Sequence, residues 1–314
     1  MFENQFSATC LFYHDKFYLF VVGCLSVILT SCGGGGSGGT NSPVVADTVA
    51  PAMTALTTQV NASNITLTAI ATDNVSVVGY CFSVSPTTPL GSDACFQVSN
   101  QKSISLTLPQ HRFYVWAKDV AGNVSTSPMI GPCSSAGFTA SDTSNLQTVC
   151  MMTSQGEMVF GLYAVTAPIT VANFLKYVND NFYSNTVFHR VISDFMVQGG
   201  GFTWLAASGY TAKTPSYAPI SLEPPSVSGQ SNLTGTIAMA RTATLNSATS
   251  QFFVNVVDNP SLDTSGGGYA VFGSLISGHN TLTALKSLPV VANSSGEISQ
   301  PTVPPVIQWA IQLK

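Results

Sequence analysis

The side chains best suited to chemistry cluster in one run, Phe188-His189-Arg190-Val191-Ile192-Ser193-Asp194-Phe195-Met196-Val197-Gln198-Gly199-Gly200-Gly201-Phe202. Arg190 is always charged and offers five donors in a rigid fork, so it can stabilise electron density that develops at a fixed place. Taken alone it reads equally as a structural salt-bridge partner. Phe195 and Met196 supply apolar surface beside it, and in isolation would be simple core. His189 reads as a packed residue ahead of an acid or base. Gly199 to Gly201 permit close backbone approach and are not read as a phosphate loop. No C-x-x-C spacing occurs anywhere in the chain, so a zinc site is rejected.

Further stretches flank this run in a fixed order. Ala167-Pro168-Ile169-Thr170-Val171-Ala172-Asn173-Phe174 precedes it. Gly235-Thr236-Ile237-Ala238-Met239-Ala240-Arg241, Ser250-Gln251-Phe252-Phe253-Val254-Asn255 and Tyr269-Ala270-Val271-Phe272-Gly273 follow. The ordered series resembles the cyclophilin-type peptidyl-prolyl cis-trans isomerases of bacteria, over residues 146–314. The resemblance implies a closed antiparallel β-barrel capped by two helices. It also implies catalysis by Arg190 and by Gln198, which would orient the arginine and contact the substrate backbone. Phe195, Met196, Phe253 and Leu262 match a proline pocket. Ala240, Arg241 and Gln251 match positions along a peptide groove, and Tyr269 lies at the same site.

The implied chemistry is physically economical. A peptide C–N bond has partial double-bond character and a rotation barrier of about 18–20 kcal/mol. An X-Pro bond therefore exchanges over tens to hundreds of seconds. No covalent bond breaks, so no nucleophile, metal or cofactor is required. The site needs an apolar pocket for the ring, polar groups for the flanking backbone, and a donor that favours the twisted state, whose imide nitrogen is pyramidal and more basic.

Four departures from the family pattern carry expectations. Ser261 stands where many eukaryotic members have tryptophan, which argues against tight cyclosporin binding. Tyr269 and Arg241 replace a histidine and an asparagine in the bacterial manner. Ser193-Asp194 replaces Pro-Gly and is expected to shift Phe195 slightly.

The elements that position these residues follow from periodicity. Val171, Phe174, Leu175 and Val178 fall at i, i+3, i+4 and i+7 after Pro168, which predicts an amphipathic helix with proline in its first turn. A second helix is predicted over 281–288, with Leu282, Leu285 and Leu288 inward and Asn280 as N-cap. Met158, Phe160 and Leu162 alternate after a turn at Gln155-Gly156, and Ile307, Trp309 and Ile311 alternate near the end. Residues 133–146 read as a Ser/Thr-rich junction.

Residues 47–132 read as a β-sandwich. Ile65, Leu67, Ala69 and Ala71 alternate with polar residues, as do Val78, Tyr80, Phe82 and Val84, then Ile104, Leu106 and Leu108; Phe113 to Ala117 is a further strand. The stretches 71–74 and 116–123 resemble bacterial Ig-like surface domains, in which such Asp and Asn residues serve turns. A spacer or adhesive role is expected.

Ahead of this lies a targeting segment. Phe17 to Leu29 is uncharged, follows Lys16, and is shorter than the roughly 20 residues of a membrane span. It ends in Leu29-Thr30-Ser31-Cys32, which resembles a bacterial lipobox, so residues 1–31 read as a signal peptide and Cys32 as the lipidated first residue. Glu3 and Asp15 are unusual in such a leader. Residues 32–46, rich in Gly and Ser, read as a flexible tether. Gly33 after the cysteine leans towards the outer membrane, facing periplasm or cell surface. Cys10 and Cys24 leave with the leader, so Cys81, Cys95, Cys133 and Cys150 remain as two disulfides in an oxidising compartment. Three pairings exist; proximity favours Cys81–Cys95 and Cys133–Cys150.

Composition agrees with export. Charged residues make up only 8% of 314 residues, against about 25% in ordinary soluble proteins. The net charge is −4 with no basic patch, which excludes nucleic acid as an expected partner. The expected partners are proline-containing polypeptides and a membrane reached through Cys32; a monomer is the default. The rival expectation is a scaffold that holds proline-containing or adhesive partners without catalysis.

Overall fold

The computed structural model describes residues 46–60, 64–105 and 112–314. The leader, Cys32, the tether to Val45, and Leu106 and Leu108 lie outside the described residues. Among the described residues no helix is long and apolar enough to cross a membrane.

The first strands are β1 (Ala52–Val60), β2 (Asn64–Thr72), β3 (Val77–Ser83), β4 (Phe96–Gln97), β5 (Gln101–Ser105), β6 (Phe113–Asp119) and β7 (Met129–Gly131). They form two antiparallel sheets, ordered β1-β2-β5 and β4-β3-β6-β7. Ile65, Leu67 and Ile104 from one sheet share a cluster with Phe113 from the other. The alternation of β2 holds, with Ile65, Leu67 and Ala69 fully buried. In β3 the phase differs from the sequence pattern: Gly79 and Cys81 are buried, while Val78 is exposed. Cys81 pairs with Cys95, and Phe82 on the other face still packs partly against the shared apolar cluster. The acidic residues of this region do hold turns. Asp73 accepts from the backbones of Val75 and Ser76, and Asp119 from the backbone and side chain of Asn123. Asp47, Asp73 and Asp119 converge, with ligand-type oxygens within 4.8 Å of one another.

A helix, α1 (Ser135–Thr143), occupies the stretch that the sequence suggested was only a junction. Its composition has no apolar period to betray it. Tertiary contacts hold it instead: Phe138 is buried, and Cys133, just before the helix, is bonded to Cys150. Ser134 caps Gly137, and Glu157 accepts from the backbone and hydroxyl of Ser134, both at 2.7 Å.

The remaining strands are β8 (Gln147–Thr153), β9 (Gly156–Leu162), β10 (Thr186–Ile192), β11 (Met196–Leu205), β12 (Gly209–Ala212), β13 (Thr236–Met239), β14 (Phe252–Asn255), β15 (Val271–Ser277), β16 (Val290–Ala292), β17 (Ile298–Pro301) and β18 (Val306–Gln312). Eight of them close an antiparallel barrel in the order β10-β18-β8-β9-β15-β13-β14-β11, with β11 pairing back to β10. The hairpin partner β12 extends β11, and β16 with β17 forms a separate ribbon.

The barrel core is apolar and aromatic. Strands contribute Val149, Met151, Phe160, Val197, Val254 and Phe272. Helix α2 (Pro168–Asn179) adds Phe174, and α4 (His279–Lys286) adds Leu285. Phe174 meets Phe252 edge-on at 5.8 Å. Pro168 opens α2 as expected, but its free N–H groups are satisfied from far away. The buried Glu223 carboxylate accepts from Ile169 N, Thr170 N and Thr170 Oγ1 at 2.7–3.0 Å. Negative charge is favourable at that helix end.

Helix α4 starts two residues earlier than predicted, with Gly278 rather than Asn280 as its N-cap. Gly278 has φ 93°, and a Cβ there would lie 2.1 Å from Glu157 O. Only glycine fits where the chain turns against β9. A short α3 (Pro225–Ser228) is the remaining α-helix among the described residues, and Pro260–Asp263 and Ser265–Gly267 are 3-10 turns.

The alternation of β18 also divides. A register shift falls between Ile307 and Trp309. Ile307 and Ala310 face the barrel core, whereas Trp309 and Ile311 join Cys133, Cys150 and Phe138 in the cluster shared with the first sheets. Residues 46–314 accordingly form one compact unit.

The Cys133–Cys150 bond closes a loop with sequence separation 17. A loop of this size contributes about 3 kcal/mol by restricting the unfolded chain. Replacing both cysteines by alanine is expected to lower the unfolding free energy by about that amount, read as a lower denaturant midpoint.

Candidate functional site

One lateral row of register partners lays out the site. Arg190 on β10 lies opposite Gln198 on β11. Gln198 lies opposite Phe253 on β14, Phe253 opposite Ala238 on β13, and Ala238 opposite Val271 on β15. Partners in such a row share a face of the sheet. Here it is the outer face, where Met196, Ala238, Phe253 and Val271 form an apolar cluster apart from the barrel core.

Above this floor is a cavity of about 260 Å³ lined by Arg190, Phe195, Met196, Gln198, Ala240, Arg241, Phe253, Leu262 and Tyr269. The structure thus brings together nine of the ten residues singled out from the sequence. The tenth, Gln251, sits just behind, its Oε1 accepting from Gln198 Nε2 at 2.9 Å. Gly201 makes room for it, since a Cβ there would lie 2.4 Å from Gln251 Cγ and Cδ.

The walls are fixed by polar groups that the sequence did not reveal. Phe195 ends a turn in which its N–H donates to Ile192 O at 3.0 Å. Asn259 Nδ2 holds the Phe195 carbonyl at 2.7 Å. On the far side, the Asp263 carboxylate accepts from Asn232 N and Nδ2, both at 2.8 Å, and from the Ser231 hydroxyl. Burial pushes this carboxyl up, but those hydrogen bonds outweigh it and hold it below the usual value. Asn232 also reaches Tyr269 O at 3.3 Å. The wall between Leu262 and Tyr269 is therefore anchored at both ends. Tyr269 meets Phe253 edge-on at 5.8 Å.

Arg241 serves this wall. Its Nη2 donates to Gly266 O and Gly268 O, and its guanidinium lies 4.5 Å from the centre of the Tyr269 ring. These contacts fix the arginine beside the cavity with much of its donor capacity already used.

The orientation of Arg190 differs from the sequence expectation. Gln198 is bonded to Gln251, and the partner of Arg190 is Glu297. Nε donates to Glu297 Oε2 at 2.7 Å and Nη2 to Oε1 at 2.6 Å. Nη1 points to the cavity, 3.7 Å from Met196 Sδ. Glu297 sits 107 residues further along, in a segment without a recognised motif, so no spacing signal could have found it. Its hydrogen bond from Arg190 holds its carboxyl well below the ordinary value of 4.5, at about 2.

The arrangement offers an apolar recess with a fixed cationic donor at one edge and amide groups along another. It can seat a ring and place a donor against a lone pair. It offers no acid–base pair. Burial pushes His189 down from 6.5 to about 4, assisted by the Arg190 charge, and its ring packs at 4.6 Å on Phe202.

The pH response follows from these two groups. The depressed Glu297 makes its contribution above its ordinary value and loses it only as pH falls towards about 2. The depressed His189 disfavours the folded state progressively as pH drops below 6.5. Between about pH 5.5 and 8 neither changes charge in the folded protein. The expected kcat/KM profile is flat across that window while the protein stays folded. An inflection near the ordinary histidine value would show that His189 takes part in turnover.

Comparison with known proteins agrees with this geometry. Residues 148–308 match the family model for cyclophilin type peptidyl-prolyl cis-trans isomerase/CLD. The chain is 43% identical over 170 residues to a peptidyl-prolyl cis-trans isomerase of Streptomyces antibioticus, covering 52% of this chain and 98% of that one. It is 43% identical over 145 residues to peptidyl-prolyl cis-trans isomerase B of Escherichia coli, covering 45% and 84%. A Cryptosporidium parvum cyclophilin type peptidyl-prolyl cis-trans isomerase, solved in the presence of the dipeptide Ala-Pro, aligns with TM-score 0.45 and 26% identity, covering 54% and 99%. With the barrel closed, the recess formed and half of its length matched by that family model, the chain belongs to the cyclophilin-type peptidyl-prolyl cis-trans isomerases.

Proposed function

We propose that the protein isomerises X-Pro bonds of exported polypeptides at the bacterial envelope, with Arg190 as the catalytic residue. The observation that carries the mechanism is Nη1 of Arg190, which meets Met196 Sδ at 3.7 Å, at the edge of a cavity with an apolar floor. A proline ring seated against Phe195, Met196, Phe253 and Leu262 puts its imide nitrogen within reach of that edge. As the bond twists, the nitrogen lone pair leaves conjugation and becomes an acceptor. Nη1 then donates to it, or to the adjacent carbonyl, more strongly than in the planar ground state. Stabilisation confined to the twisted state raises kcat. Gln198 and Gln251 offer amide groups to the flanking backbone. The recess reads the ring, so selectivity for the preceding residue is broad.

In this reading Cys32 carries the lipid, residues 33–46 are the tether, and the two sheets over 47–132 are an Ig-like spacer. Support comes from the uncharged run before Cys32 and the two cystines, Cys81–Cys95 and Cys133–Cys150. Disulfides persist in oxidising compartments. The low charge content agrees. The proposed working form is a monomer that needs no cofactor.

Two measurements test the reading. In an X-Pro peptide assay of the full chain in mild detergent, Arg190→Ala is expected to lose roughly 10²–10³-fold in kcat, the usual cost of one preorganised donor. Arg190→Lys is expected to remain poor, for want of the planar fork. Wild-type turnover no faster than the variant and the uncatalysed rate would leave a proline-binding scaffold in place of the enzyme. Separately, expression with radiolabelled palmitate is expected to label the wild type in the envelope fraction and not Cys32→Ser. Equal labelling of both would remove the lipid anchor.

A further inference from the structure

Arg190 owes its position to a residue that lies outside the barrel. Glu297 stands at the end of the turn joining β16 to β17, directly before Ile298, the first residue of β17. The turn is shaped around it. Asn293 Oδ1 accepts from Glu297 N at 3.1 Å and Ser295 N at 2.9 Å, while Asn293 N donates to Glu297 O at 2.8 Å. Gly296 has φ 85°, which the tight reversal requires.

The carboxylate itself is held from behind. The hydroxyl of Ser299, whose residue is 1% exposed, donates to Oε2 at 2.7 Å, and Asn293 Nδ2 reaches the same oxygen at 3.4 Å. In front, its two oxygens engage Nε and Nη2 of Arg190. A guanidinium gripped along that edge has a fixed plane, and its remaining corner, Nη1, has a fixed direction. That direction is into the cavity, towards Met196. Among the described residues, Glu297 supplies the oxygen acceptors that Arg190 meets. Gln198, the cross-strand neighbour, is committed to Gln251.

We propose that Glu297 is the positioning residue of the active site: through its paired contact with Nε and Nη2 it aims Nη1 of Arg190 at the bound proline. The proposal rests on the reading of Arg190 as the catalytic residue. Glu297 touches no substrate and acts only through the arginine. Without it the side chain regains rotamer freedom, and the donor is misplaced in most of its conformers. Displacement of a reacting group by 1 Å can cost about 10²-fold. An arginine that still samples the correct pose loses less.

The test is a double-mutant cycle on the full chain in detergent, with kcat and KM measured on one X-Pro peptide. Glu297→Ala is expected to lower kcat about tenfold with KM within about twofold, because the pocket is intact. Glu297→Gln keeps one acceptor and is expected to fall between. In the Arg190→Ala background, at high enzyme concentration, Glu297→Ala is expected to add nothing. Near-wild-type kcat in Glu297→Ala would overturn the positioning role while leaving Arg190 catalytic. An equal fold loss in both backgrounds, or a loss wholly in KM, would assign Glu297 to the general structure instead. Wild-type turnover by Arg190→Ala would sink the catalytic reading and this inference with it.

Discussion

The pairing of β10 with β11 is the constraint on which the rest of the molecule depends. It closes the barrel, and it is also the contact that sets Arg190 opposite Gln198. Because β11 pairs with β14 on its other edge, and β14 with β13, the register of one hairpin fixes a row that runs from the guanidinium to Val271. The floor of the site is a stripe across the sheet, carrying Arg190, Met196, Gln198 and Phe253, and loop residues Phe195, Ala240, Arg241, Leu262 and Tyr269 wall it. Its spacing is the spacing of strands, which backbone hydrogen bonds hold rigidly.

The same strands carry both stability and chemistry on alternate residues. Val197 and Val254 point into the barrel, while their neighbours Met196, Gln198 and Phe253 face the cavity. A slip of one residue would exchange the two sets, so the hydrophobic core enforces the register that the site needs. Close packing inside leaves little tolerance. Gly200 has φ 84°, and a Cβ there would lie 2.9 Å from both Ser250 O and Tyr183 Cε1. The glycines after Gln198 let β11 pass over the aromatic core and let Gln251 lie across it.

The opposite side of the barrel is also two-faced. Outward residues of β8, β9 and β18 (Cys150, Val159, Trp309 and Ile311) meet Ile65, Leu67 and Phe138 in a second apolar cluster. The bulge in β18 is what supplies this face, by turning Trp309 outward after Ile307 has pointed in. The Cys133–Cys150 bond crosses the same cluster. The first sheets are thus seated on β8, β9 and β18, and the cavity lies on the face bounded by β10, β11, β13 and β14.

What the sequence determined by itself was whatever has a local period or a contiguous motif. The helix after Pro168, the alternation of β2, the strand from Phe113 to Ala117, the succession of barrel strands, and the nine cavity residues with Gln251 behind them belong to this class, because the residues that carry each signal lie close together in the chain. Proximity likewise pointed to both cystines. Tertiary structure decided everything that depends on a distant partner. Helix α1 has no apolar period and forms because Phe138 and Cys133 are held elsewhere. The N-terminus of α2 is capped by Glu223, more than fifty residues away. The start of α4 is set by the crowding of Gly278 against Glu157. The facing of Trp309 follows from a bulge that interrupts a perfect alternation. Above all, the aim of Arg190 comes from Glu297. Side-chain electrostatics act across space at a few ångströms, and only the folded chain says which charges stand that close.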